Sequence, residues 1–203
     1  MTMASFFAVN QKHTTALYKD HKNKRSLIVL ATNMPLICIT LFALTMVWAL
    51  VSDVRAYLLS NRLCLTVAAL YPLYIMSLWF NNAAPGGTDL LITLFIALII
   101  FAVGVVLFAR GIMGGGDVKL LPVVALWAGP TFVLPFLFIT SIIGGLVTLF
   151  VLAQYGLKRS NFLKSSPDVN LPSPNMAEIQ VPYGVGIAAG GLFVAWQLSQ
   201  PWI

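Results

Sequence analysis

From Leu90 to Ala109, and again from Leu120 to Leu157, the chain carries no charged residue. A helix needs about 20 apolar residues to cross a bilayer, and inside hydrocarbon every backbone N–H and C=O must be satisfied within the protein. Runs of this length predict membrane-spanning helices and leave little room for another architecture. Composition agrees, with 59% of residues hydrophobic and 9% charged, against about 25% charged in soluble domains. The chain reads as an all-α, polytopic integral membrane helix bundle, its main partner the lipid bilayer.

Taken in order, residues 1–26 form a polar, basic N-terminal tail, and residues 27–203 a membrane domain of about six transmembrane helices. The spans fall near Leu27 to Val51, Leu63 to Phe80 and Leu90 to Ala109, then a short fourth helix, Thr131 to Leu157, and Pro182 to Leu198. Gly129-Pro130 breaks the run after Ala128. Eleven residues from Val118 to Ala128 are too few for about 30 Å of hydrocarbon at 1.5 Å per residue. The fourth helix must therefore start nearer Gly115, with Asp117 in its first turn. Lys158 to Val181, with Pro167, Pro172 and Pro174, reads as an extramembrane loop.

The net charge of +6 is not a nucleic-acid signature, because the basic residues form no dense patch. They act as topology signals. The intervals after spans one, three and five hold Arg55, Arg62, Arg110, Lys119, Lys158, Arg159 and Lys164, and those after spans two and four hold no Lys or Arg. The positive-inside rule puts the first group in the cytoplasm. The basic tail then lies outside, against the rule, and a start at Met34 removes that conflict. Cys38 and Cys64 sit in apolar runs without a Cys-x-x-Cys pair, and read as packing residues. Trp48, Trp79 and Trp127 fit an interfacial aromatic belt. No metal or cofactor is expected.

Against this background Gly114-Gly115-Gly116-Asp117-Val118-Lys119 stands out. A carboxylate at the margin of apolar sequence is costly and persists where it has a role or a partner. Glycines before it allow close backbone approach and angles that other residues avoid. The topology puts Asp53 on the same side, also at a helix end, while Asp89 falls on the other. Two such carboxylates suffice to activate a water against a peptide bond, one as base and one as acid, sharing a single proton. The plainer reading makes Asp117 a helix cap and Asp53 an interfacial charge paired with Arg55 or Arg62. Gly114 and Gly116 would serve close approach. Lys119 would either balance the charge of the pair or snorkel to the interface.

These residues carry a resemblance. Gly114-Gly115-Gly116-Asp117 has the Gly-x-Gly-Asp form of the membrane aspartyl proteases, and Val118-Lys119-Leu120-Leu121 looks like the prepilin peptidase branch. Asp53-x-Arg55 with Asn61 is similar to that family's first-aspartate segment, and Val181 to Gly191 resembles its final helix. The resemblance implies catalysis by Asp53 and Asp117, and a prepilin or pseudopilin substrate cut at the cytoplasmic face of the bacterial inner membrane. Large members carry a Cys-x-x-Cys domain that N-methylates the new terminus. That module is missing here, so cleavage without methylation is implied, in a short form most similar to Flp/Tad-type pilus enzymes. Other pilus-assembly proteins are further partners to expect. The competing classes are a small proton- or ion-coupled transporter, for which acids nearer the midplane would be expected, and a noncatalytic pilus assembly factor.

Overall fold

The computed structural model describes residues 33–55, 60–165 and 183–202, with backbone alone at 155 and 158–165. The basic tail and its boundary at residue 26, and the proline-rich segment with Asp168 and Glu178, lie outside the described residues. Each apolar run becomes a helix. Helix α1 spans Asn33–Arg55, α2 Asn61–Phe80, α3 Gly87–Ala109, α4 Gly115–Ser165 and α5 Tyr183–Ser199, followed by a 3₁₀ turn at Gln200–Trp202. Among the described residues there is no strand.

Among the described residues, four helices are long and apolar enough to cross a membrane: α1, α2, α3 and the Gly115–Gln154 part of α4. The expected count of about six is not confirmed by this measure, for two reasons. Helix α5 has 17 described residues, and the fourth and fifth expected helices are two helices joined end to end across a kink. The kink falls where Gly129-Pro130 predicted, since Gly129 has φ 59° and ψ −175°. A side chain would be strained there, and Pro130 brings no N–H for the Leu126 carbonyl. Two boundaries shift as well. Helix α1 continues past Val51 to include Asp53, and α4 runs to Ser165, through the start of the expected loop.

The packing is that of a bundle in lipid. Leu91, Leu94, Phe95 and Leu98 of α3 are all at least 60% exposed, a surface that water would penalise and acyl chains do not. The core forms where α1, α2 and the first arm of α4 meet around Trp127. Its ring stacks on Phe42 at 4.3 Å and on Tyr74 at 5.1 Å, and its indole N–H donates to the Val67 carbonyl at 3.1 Å. Trp127 is 2% exposed, so it is the centre of the core and not part of a belt. Trp48 and Trp79, at 69% and 67% exposure, do face outward. Cys38 and Cys64 are buried free thiols, in keeping with packing.

Helix α5 meets its neighbours through glycine. A Cβ on Gly186 would lie 2.7 Å from the Thr140 carbonyl oxygen and 3.0 Å from the Gly144 nitrogen. On Gly190 it would meet Thr140 Oγ1 at 2.5 Å, and on Gly191 the Met46 sulfur at 2.6 Å. Real Cβ atoms do not sit that close. Close approach of this kind, to backbone at Gly186 and to side chains at Gly190 and Gly191, is how membrane helices gain van der Waals energy when lipid is as apolar as their own side chains. It also fixes the height of α5 against α1 and α4, which matters for the site.

Candidate active site

The chain between α3 and α4 is shaped by Gly111. With φ 70° it ends α3 in a left-handed cap. The Gly111 N–H donates to the Phe108 carbonyl at 2.9 Å and the Ile112 N–H to Leu107 at 3.0 Å, the paired bonds of a Schellman motif. Helix α4 then begins within a few residues, its first turn closed by Val118 N–H to the Gly114 carbonyl at 3.2 Å. The backbone angle that needs glycine thus falls on Gly111, while at the triple glycine the issue is space. A Cβ on Gly114 would lie 3.0 Å from Asp117 Oδ2, and one on Gly115 would touch the Phe108 ring at 3.4 Å.

This places Asp117 at the third position of α4, its carboxylate reaching back toward the Gly114 N–H. The arrangement is half of a capping box, with no side chain at Gly114 to complete it. Capping does not account for the whole carboxyl group. Asp117 is 7% exposed, and its Oδ1 is buried with no hydrogen-bond partner. An unsatisfied buried oxygen costs about 1–3 kcal/mol, more if charged. It calls for an explanation beyond helix geometry.

Asp53 sits in the last turn of α1, 4% exposed. Its Oδ2 accepts the Val185 N–H at 3.1 Å, and the Gly184 N–H is directed at the same carboxylate. Both donors belong to the first turn of α5, whose unpaired N–H groups and positive dipole end favour an anion. Asp53 is therefore held in place by a helix that is itself held by Gly186, Gly190 and Gly191. Asp53 lies close enough to Asp117 for its charge to reach the Asp117 carboxyl. The segments around Asp53, Asp117 and Gly184 come together at one end of the bundle.

The other singled-out residues take different positions. Gly116 contributes its carbonyl, which accepts from Cys64 Sγ at 3.8 Å and ties the start of α4 to α2. Lys119 is exposed and donates from Nζ to Asn61 Oδ1 at 3.0 Å, bridging the same two helices on the outside. Arg55, Arg62 and Arg110 are exposed at this end and form a basic rim. Sequence reasoning missed Cys64 as a neighbour of the glycine stretch, and it missed the backbone donors of Gly184 and Val185. Backbone donors leave no side-chain signature. Their one trace was the glycine-rich start of the last helix.

No curated protein and no solved structure matches the chain. The sequence model of the type IV leader peptidase family matches residues 40–149, a stretch that takes in α2 and α3 whole and contains both buried aspartates. With more than half of the 203 residues covered, the chain belongs to the type IV leader peptidase family.

Proposed function

We propose that this membrane leader peptidase cuts prepilin-like chains with Asp53 and Asp117 as a water-activating pair. Support comes from one observation above all: two carboxylates are buried at the same end of the bundle, yet their surroundings differ. Asp53 is fed by backbone donors, which suit a carboxylate. Asp117 has one buried oxygen without a hydrogen-bond partner, which suits a protonated carboxyl. Asp53 is accordingly the base and Asp117 the acid.

In the reaction, Asp53 takes a proton from water as the water oxygen bonds to the scissile carbonyl carbon, and Asp117 gives its proton to the carbonyl oxygen. The tetrahedral intermediate then collapses. The C–N bond breaks, the nitrogen leaves with the proton held by Asp53, and the hydroxyl proton returns to Asp117. The pair ends as it began, with one proton between two acids.

The substrate in this reading is a prepilin or pseudopilin with a short basic leader before an apolar helix, of the Flp type. The apolar helix would lie in the bilayer beside α3 while the scissile bond reaches the aspartate end. The basic rim of Arg55, Arg62, Arg110 and Lys119 argues for the cytoplasmic face of the inner membrane. Co-expression with a prepilin, scored by gel shift, tests the reading. Leader removal by the parent and none by Asp53→Asn or Asp117→Asn, at equal accumulation, is expected. Cleavage by either variant would overturn the pair.

A further inference from the structure

Helix α5 carries the N–H groups directed at Asp53, so whatever sets its height bears on the aspartate pair. Two of its glycines, one turn apart, face the second arm of α4, beyond the Gly129 break, and both meet the same residue there. The place of a Cβ on Gly186 lies 2.7 Å from the Thr140 carbonyl oxygen, and that on Gly190 lies 2.5 Å from Thr140 Oγ1. Glycine has a hydrogen where a side chain would begin, so each presents a Cα–H to an oxygen of Thr140.

The Thr140 hydroxyl differs from others in the bundle. Thr66, Thr93, Ser141 and Thr148 donate to the carbonyl four residues back in their own helices, at 2.7 or 2.8 Å. Thr140 Oγ1 is buried without a hydrogen-bond partner. A hydroxyl left unpaired is costly, and in hydrocarbon more so, which calls for a reason. Its contact with Gly190 supplies one. Single Cα–H···O contacts are weak, but they recur where helices approach closely. Here two come from one residue, on glycines at i and i+4, and so define a register. A slip of α5 by one turn would set Val194 against the hydroxyl in place of Gly190, with a side chain where there is room for a hydrogen.

We infer that Thr140 sets the register of α5, its two oxygens seating Gly186 and Gly190 so that the Gly184 and Val185 N–H groups point at Asp53. Resting on the reading of Asp53 as the base, this makes Thr140 a positioning residue for leader cleavage. A methyl group in place of Oγ1 is larger and accepts nothing, so Thr140→Val pushes on Gly190 while keeping the branched shape.

The test uses the full chain in detergent. Hydrogen exchange, read by mass spectrometry on peptides covering Tyr183 to Gly190, reports the amides of the first turns of α5 without any proteolytic activity of the enzyme. Leader cleavage per folded molecule is measured on the same samples. Thr140→Val should speed exchange there and lower kcat about tenfold with KM kept, the split expected when a group acting in the transition state is moved. Thr140→Ser keeps the oxygen and should behave as the parent. Thr140→Ala removes it without adding bulk and should move both readouts in the same direction as valine, which covers the case in which the valine variant does not accumulate. Parent-like exchange in α5 for the valine or alanine variant would overturn the inference. So would a serine variant that behaves like valine, or faster exchange in every helix with kcat per folded molecule kept. Faster exchange confined to α5 with cleavage unchanged would uphold the register and count against Asp53 as the base.

Discussion

The two ends of the bundle are built on opposite plans. At the aspartate end helix termini converge, buried acids meet backbone donors, and exposed cations ring the outside. At the other end a helix is broken, a cavity stays open, and no basic residue lines it. The glycines follow the same division. Those of α5 are pressed against neighbouring backbone and side chains, so that a Cβ would collide, whereas Gly129 allows the chain to bend. Close packing secures the positions of Asp53 and Gly184, and looseness is kept well away from them. The proposed role of the two acids would tolerate little misplacement, since an error of about 1 Å can cost about 10²-fold in rate.

The largest effect should come from the acids. On the proposed mechanism Asp53→Asn and Asp117→Asn each remove a proton-transfer group, and general acid–base contributions run to about 10²–10⁴-fold. Either should push leader cleavage below detection at normal accumulation. The pH profile sharpens the point. If the proposed pair carries the reaction, activity needs one proton on it, so the rate should fall on the acid side when the base is protonated and on the alkaline side when the acid is lost. A bell-shaped kcat/KM profile with two apparent constants belonging to the pair is expected. A rate flat on the alkaline side would remove the acid from the mechanism.

Next come the glycines that hold α5. Gly190→Val must displace Thr140 and Phe136 or move the helix, an overpacking cost of about 1–3 kcal/mol. Because α5 carries the N–H donors of Asp53, cleavage should fall further than stability alone explains. Gly145→Ala is the contrast. Nothing lies within 4 Å of a Cβ there, and the helix gains up to about 1 kcal/mol of propensity. Thermal unfolding in detergent, beside a cleavage assay on the folded fraction, separates the two. Equal behaviour of the pair of variants would mean that α5 does not position Asp53.

The tryptophans give a comparison confined to stability. Trp127→Ala empties the centre of the core and should cost about 3–5 kcal/mol, with the Val67 carbonyl losing its indole donor. Trp48→Ala, on an exposed face of α1, should stay within about 0.5 kcal/mol. Reversal of that order in detergent unfolding would contradict the assignment of the core.

How much of this could be read in advance depended on the kind of signal. Long uncharged runs gave the helices, because hydrocarbon leaves the backbone few options. The break at Gly129-Pro130 and the start of α4 near Gly115 were legible from local chemistry and length. Trp127 was not, since an apolar run lacks the polar face that shows which side of a helix turns inward. The aspartates were legible as rare charges at the margins of apolar sequence. Their support was not, because Gly184 and Val185 act through backbone N–H groups, and the choice of Asn61 as the partner of Lys119 depends on where two distant helices meet.

Lys119 provides the smallest effect and a test of how far the site extends. Its position two residues after Asp117 invites an electrostatic role, but its ammonium faces Asn61 on the outside of the bundle. An exposed hydrogen bond of this kind contributes about 0.5–1.5 kcal/mol at most, and solvent screens its charge. Lys119→Met should lower Tm slightly and leave the bell-shaped pH profile where it was. Asn61→Ala should match it, and the double variant should add little, since both remove the same bond. If Lys119→Met instead displaces either limb of the profile while Asn61→Ala does not, the ammonium acts on the carboxylates directly, and the catalytic centre includes a cation as well as its two acids.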